Sequence, residues 1–191
     1  PWQIRQQYPD GVRELAAGGP HRIAAGQPTD DSEMALALAR SMVRNGGYDR
    51  GDVLASYRRW LDSRPFDRGS TISNALRGHF SEGSEANGAL MRISPVAIAY
   101  HADPRQAATF ARTDAALTHP NSYCLDVNAL WTGALARVIH DGSEPVFDRP
   151  DLYDPEPGDV FSQQGWVRHA VTLTDHEVAY ADCVVVEIST H

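Results

Sequence analysis

Thr29-Asp30-Asp31-Ser32 places a hydroxyl and two adjacent carboxylates behind a Gly26-Gln27-Pro28 turn and ahead of the apolar run Met34-Ala35-Leu36-Ala37-Leu38. One carboxylate suffices to satisfy the free N–H groups and the dipole at a helix start, and a second beside it adds like-charge repulsion. A hard cation relieves that repulsion, because Mg²⁺ and similar ions take oxygen ligands. Thr29, Asp30 and Asp31 are therefore candidate metal ligands, with solvated acids in an ordinary first helical turn as the alternative. Three other stretches carry polar residues at turns. Arg64-Pro65-Phe66-Asp67-Arg68-Gly69-Ser70-Thr71 offers Asp67 as an acid or base, or as a simple turn residue. Asn87-Gly88-Ala89-Leu90-Met91-Arg92-Ile93-Ser94-Pro95 offers backbone N–H groups at a glycine, suited to a phosphate, with Asn87 as donor and acceptor and Met91 packing below. Its alternative is a common Asn-Gly turn with Met91 in the core. Thr118-His119-Pro120 puts an imidazole at a helix entrance, as a ligand contact or as part of a capped turn.

The elements that position these residues read as helices. Thr29 is the expected N-cap of the first, with Asp30 and Glu33 at capping-box spacing, Met34, Leu38 and Met42 on its buried face, and Asn45-Gly46-Gly47 as its stop. Gly51-Asp52 opens a second, with Val53, Leu54, Tyr57, Trp60 and Leu61 on one face and an end before Pro65. A third is expected from Gly69-Ser70 through Ile72 and Leu76 to Phe80. Ala89 to Ser94 reads as helix running into a break at Pro95. Asp103-Pro104 is a cap followed by proline at the first helical position, and that helix runs through Ala107, Phe110, Ala111, Asp114 and Leu117. Another spans roughly 121–140, with Cys124, Val127, Leu130, Trp131, Leu135 and Val138 at helical spacing. Residues 1–25 give a short helix or packed arm from Trp2, Ile4, Tyr8, Val12 and Leu15. Residues 141–164 form a Pro- and Asp-rich loop, and 165–191 a tail in which 183–188 favours a strand. The expectation is an all-α core in one domain, with an irregular C-terminal segment.

At 191 residues and net charge −8, with Lys+Arg 17 against Asp+Glu 25, the chain argues against a phosphate-tracking nucleic-acid groove. Its two cysteines, Cys124 and Cys183, have no metal or redox spacing and suit a reducing cytoplasm. The sequence shows no signal peptide and no apolar run long enough to span a bilayer, and its first residue, Pro1, is compatible with a piece of a longer product.

Taken together, Thr29-Asp30-Asp31-Ser32, the Asp67 turn, Asn87-Gly88-x-x-Met91-Arg92-x-x-Pro95 and Thr118-His119-Pro120 resemble, in the same order, the signature segments of the ADP-ribosylglycohydrolase family. The resemblance covers roughly residues 20–140. It implies a compact orthogonal helical domain and hydrolysis of the bond between ADP-ribose and a protein side chain, typically arginine. It also implies one or two Mg²⁺ or Mn²⁺ ions on Thr29, Asp30 and Asp31. Asp30, Asp31 and Asp67 would then be catalytic, and Thr71, Asn87, Gly88, Met91 and His119 would bind substrate. Ser70 stands where the family usually has Asn. The family's opening Gly-Asp-x-x-Gly and closing Gly-Gly-Asp-x-Asp-Thr patterns are absent, so half of a two-metal site is missing from this sequence. The partner expected is an ADP-ribosylated protein, or a small molecule containing ADP-ribose, met by a monomer in the cytoplasm. The alternative is a binding module that keeps the cleft without cleaving.

Overall fold

Apolar residues at helical spacing between well-placed caps produce a helical body. The computed structural model describes residues 5–6, 8–11, 13–18 and 21–142. Six α-helices follow one another there: α1 Asp30–Asn45, α2 Arg50–Asp62, α3 Ser70–Leu76, α4 Ser94–Ala99, α5 Pro104–Ala115 and α6 Ser122–Asp141, with a 3₁₀ turn at Leu90–Arg92. No strand occurs among the described residues beyond an isolated bridge between Gly18 and Ile23.

α1 starts after Thr29, whose backbone is extended (φ −103°, ψ −172°). It ends at Gly46, held at φ 66° while its N–H donates to the Met42 carbonyl. Asp49 caps α2 by accepting from the Asp52 N–H at 2.7 Å, so that helix begins at Arg50 rather than Gly51. Met34, Leu38 and Met42 of α1 meet Val53, Tyr57 and Leu61 of α2 in the same buried core, which Ile72, Ile93 and Val96 complete. Each large apolar side chain buried there contributes about 1.5–3 kcal/mol relative to exposure. Asp103 caps α5 through the Gln106 N–H, with Pro104 in the first turn.

The most extensive helix pairing joins α5 to α6. Ala107, Ala111 and Ala115 of α5 are all buried, and a Cβ at Gly133 of α6 would already touch Ala108 and the Pro104 carbonyl. Small residues let the two backbones approach closely. On α6 the expected face holds in part: Cys124 is buried and Trp131 and Leu135 pack against the core, but Asn128, Thr132 and Ala136 are buried where Val127, Leu130 and Val138 are half-buried.

Several expectations need correction. Ala89 to Ile93 is not α-helix; Leu90–Arg92 makes one 3₁₀ turn, and Ser94 opens α4 with Pro95 in its first turn instead of ending a predecessor. Phe80 lies beyond α3 and is exposed. In the N-terminal segment Leu15 stands exposed rather than packed, and Arg5–Gln6 are the helical residues described. Trp2, Ile4 and Val12, the loop from 143 onward, and the tail with its strand-like 183–188 lie outside the described residues.

Candidate active site

The N-terminus of α1 gathers the acids. Thr29 caps by position only: its hydroxyl donates to Asp31 Oδ2 at 3.2 Å and makes no side-chain bond to the helix N–H groups. The expected capping box does not form, because Glu33 turns away to accept from the Trp60 indole N–H at 2.7 Å and ties α1 to α2. Asp30 is buried, and its Oδ1 accepts from the Asp31 N–H at 3.1 Å. Burial pushes the Asp30 carboxyl up to about 6, helped by a side-chain hydrogen bond with Asp31 and by the charges of Asp67 and Asp31, against a smaller pull from the Asp31 N–H. The loop between α2 and α3 therefore brings Asp67 to the same acidic cluster. His21 Nε2 lies 3.3 Å from Asp67 Oδ2, and the imidazole meets Phe66 edge-on at 5.7 Å between centroids. Nothing in the sequence marks His21, which sits in a stretch without periodicity.

A second group forms around Gly88. A Cβ at this position would lie 2.5 Å from Ile72 Cδ1 and 2.9 Å from His119 Cε1, so glycine alone lets α3 and the His119 turn close over this backbone. The Gly88 carbonyl accepts from Arg92 Nη1 at 2.9 Å. Arg92 is fully buried, bonded through Nε to Asp114 Oδ2 at 2.9 Å and through Nη2 to the Asp114 carbonyl at 3.1 Å. Tyr57 lays its ring 4.4 Å under the guanidinium and donates its hydroxyl to Asp114 Oδ1 at 2.9 Å. Sequence reasoning noted Met91 and passed over the adjacent Arg92; a charged residue at helical spacing from buried apolar ones was the available signal. Met91 packs half-buried against the core.

His119 Nδ1 shares a 2.8 Å hydrogen bond with the Thr118 hydroxyl. Burial, then the Arg92 charge, push its imidazole down to about 3, so it is neutral. Its Nε2 and the Oδ1 of Asn87 are both buried without a hydrogen-bond partner among the described residues. Buried polar atoms in folded proteins nearly always find partners, and Tyr48, Ser73, Asn128 and Thr132 also carry such atoms among the described residues; the Asn87 and His119 atoms are the two that flank Gly88. Thr71, in the first turn of α3, shares a 3.0 Å hydrogen bond with the Ser84 hydroxyl, and the Ser84 carbonyl accepts from the Cys124 thiol at 3.5 Å. Burial, then the Glu85 charge, raise that thiol to about 11, which leaves it protonated and structural. The acid cluster and the Gly88 group are joined through the chain from Asp67 to Ile72 and through packing of the 3₁₀ turn on α1.

The donors at α1 are hard oxygens, and the carboxyl of Asp30, raised first by burial and further by Asp31 and Asp67, is one that a bound divalent cation would hold ionised. In kind they fit Mg²⁺ or Mn²⁺. In number they fall short: among the described residues no three of His, Cys, Asp or Glu stand together so as to hold an ion. No helix of the described residues is long and apolar enough to cross a membrane.

Comparisons with known proteins agree with this geometry. The family model for ADP-ribosylglycohydrolase matches residues 1–184. ADP-ribosyl-[dinitrogen reductase] glycohydrolase of Rhodospirillum rubrum is 36% identical over 148 residues, covering 72% of this chain and 48% of that protein. ADP-ribosylarginine hydrolase Tri1 of Pseudomonas putida (strain GB-1) is 36% identical over 104 residues, covering 46% of this chain and 28% of its own length. The solved structure titled ADP-ribosylglycohydrolase-related protein complex superposes with a TM-score of 0.58 at 32% identity, over 67% of this chain and 46% of that one. The chain thus spans about half the length, or less, of these relatives. The family is in general one of metal-dependent hydrolases. With the family model matching residues 1–184 and the helical architecture in agreement, the chain belongs to the ADP-ribosylglycohydrolase family.

Proposed function

We propose that this chain carries the principal part of a site that removes ADP-ribose from modified protein side chains, the bond cleaved being the N-glycosidic bond to arginine. The observation that carries the reading is the pair of adjacent carboxylates Asp30 and Asp31 at the head of α1, with Asp30 buried and within reach of the Asp67 charge, in a chain of this family. Thr29, Asp30 and Asp31 would contribute to holding a divalent ion, Mg²⁺ or Mn²⁺; when bound, such an ion supplies Lewis-acid polarisation of hydroxyls and water. The described residues leave the rest of its ligand set, and any second ion, unassigned.

The chain's own residues account for the remaining steps. Asp67 accepts a proton from the attacking water as the water oxygen bonds to the anomeric carbon; the bond pair of the breaking carbon–nitrogen bond stays on nitrogen, the arginine leaves as neutral guanidine, and it then takes the proton that Asp67 holds. Positive charge developing at that carbon is steadied by the neighbouring carboxylates, as in glycoside hydrolysis generally. Asn87 Oδ1 and His119 Nε2, both buried and unpartnered, orient the ADP-ribose hydroxyls or phosphate. Gly88 admits substrate close to the backbone, Met91 packs beneath it, and Thr71 reaches the substrate from the first turn of α3.

The incomplete carboxylate set favours a second reading, in which the chain binds ADP-ribose without cleaving it. Calorimetric titration with ADP-ribose, in Mg²⁺ or Mn²⁺ and again in chelator, separates these from an inert scaffold. Cation-dependent binding that Asp30→Ala with Asp31→Ala abolishes supports the cation-holding cluster. Cation-independent binding supports the pure binder, and no heat in any condition removes both readings.

A further inference from the structure

Away from the acid cluster, α1, α2 and the loop after α2 enclose a cleft of about 680 Å³. Four arginines line it: Arg40 and Arg44 from α1, Arg59 from α2 and Arg64 from the loop, all exposed. Leu36, Trp60 and Phe66 give it an apolar floor, with Leu36 47% and Phe66 48% exposed. Acids balance only part of this charge. Asp52 pairs with Arg44 at 2.6 Å, and Glu33 is held by the Trp60 indole. Arg44 and Arg59 both donate to the Ser56 hydroxyl, which fixes two guanidinium groups side by side. Arg64 sits at φ 59°, a conformation that glycine adopts without strain. The net charge of −8 does not swamp this patch, because residues 1–142 hold fifteen arginines against fifteen Asp and Glu and the excess acid lies in 143–191.

We infer that this groove docks an acidic polypeptide segment of the protein that carries the modification, an inference that rests on the proposed hydrolase or binder reading. From Glu33 to Arg44 the α1 wall runs about 16 Å at 1.5 Å per residue. An extended peptide of about five residues matches that length at about 3.3 Å per residue. Arginine forks recognise carboxylates in pairs, and the apolar floor takes the peptide's apolar side chains. Placement supports the choice of occupant. Phe66, at one end of the groove, directly precedes Asp67, and Glu33 lies one turn along α1 from Asp30. A side chain presented to the acid cluster therefore has its own backbone beside the groove. A nucleic acid would need a longer track of cations than four arginines around a short, partly apolar cleft.

The test uses the full chain and three fluorescein-labelled probes at low salt: a ten-residue peptide alternating Glu and Leu, its Gln counterpart, and a ten-nucleotide oligothymidylate. Fluorescence anisotropy is read for the native chain and for Arg40→Glu with Arg64→Glu, whose fold is checked by circular dichroism. The inference expects the Glu peptide to bind about tenfold or more tighter than the Gln peptide, and to lose about tenfold in the double variant and at high salt. Equal binding of the two peptides overturns it, as does unchanged binding by the folded variant. Tighter, variant-sensitive binding of the oligonucleotide also overturns it, in favour of a nucleic-acid surface. None of these readouts needs turnover, so failure of the hydrolase reading shows separately, as absent ADP-ribose release with peptide binding intact.

Discussion

Replacing Arg92 by Met isolates the buried ion pair on which the Gly88 turn depends. Arg92 and Asp114 are both fully buried, and the guanidinium makes three hydrogen bonds, two to Asp114 and one to the Gly88 carbonyl. Burial opposes the Arg92 charge, but Asp114 and Tyr57 together outweigh it and hold the guanidinium above its ordinary range. Met fills much of the same volume and removes every donor. Asp114 is then a buried carboxylate with the Tyr57 hydroxyl as its remaining side-chain donor. Stranding one partner of such a pair costs about 3–5 kcal/mol, a large share of the roughly 5–15 kcal/mol by which a domain is stable. Asp114→Asn keeps an acceptor for Tyr57 but strands the cation instead, at a similar cost. Arg92→Met with Asp114→Asn strands neither charge, so the double variant should be more stable than the sum of the single losses predicts, by about 2 kcal/mol or more. Urea unfolding at pH 7.5, followed by circular dichroism, measures all four corners of the cycle. A loss under about 1 kcal/mol for Arg92→Met, or additivity within about 0.5 kcal/mol, would refute the reasoning.

Other perturbations reach the remaining parts of the site. Gly88→Ala places a methyl against Ile72 and His119 and should destabilise by about 1–3 kcal/mol. Adding Ile72→Ala should return part of that loss, and thermal unfolding of the three variants checks this. His119 binds its proton only near pH 3 when folded but near 6.5 when unfolded, so its contribution is full above 6.5 and is lost as pH falls toward 3. At pH 5 the loss is about 2 kcal/mol, and His119→Gln should flatten melting temperature between pH 7.5 and 5 relative to the native chain. Asp30 has the opposite sign. Its raised affinity favours the folded state most below pH 3.8, and that advantage is gone once pH passes about 6. Asp30→Asn should therefore raise the metal-free melting temperature at pH 8, leave it unchanged near pH 4, and remove any stabilisation by added Mg²⁺.

Much of the fold was legible because caps and periodicity agreed. Gly46, Asp103-Pro104 and the Met34, Leu38, Met42 face each gave two signals pointing to the same element. The misread places are those where tertiary packing decides. Pro95 reads in the sequence as a helix break, whereas it sits in the first turn of α4, because the preceding residues form only a 3₁₀ turn. On α6 the face that the large apolar side chains suggest holds in part, but Asn128 and Thr132 are buried where Val127, Leu130 and Val138 are half-buried. For the candidate site, the ordered segments of the sequence point to Asp30, Asp67, Gly88 and His119. They could not reveal what joins them, since Arg92 to Asp114 and His21 to Asp67 are pairings between residues far apart in sequence. The role of Gly88 was legible as a turn, while its closeness to Ile72 and His119 is a property of the assembled helices.

The account centres on the acids at the head of α1 acting together on ADP-ribose. The most direct measurement is release of ADP-ribose from ADP-ribosylated arginine by the full chain, in Mg²⁺ or Mn²⁺, in chelator, and with Asp30→Asn and Asp31→Asn. The hydrolase account predicts release that needs the cation and falls by about a hundredfold or more when either acid is neutralised. Release that persists unchanged in chelator, or in a folded protein lacking both carboxylates, would contradict it.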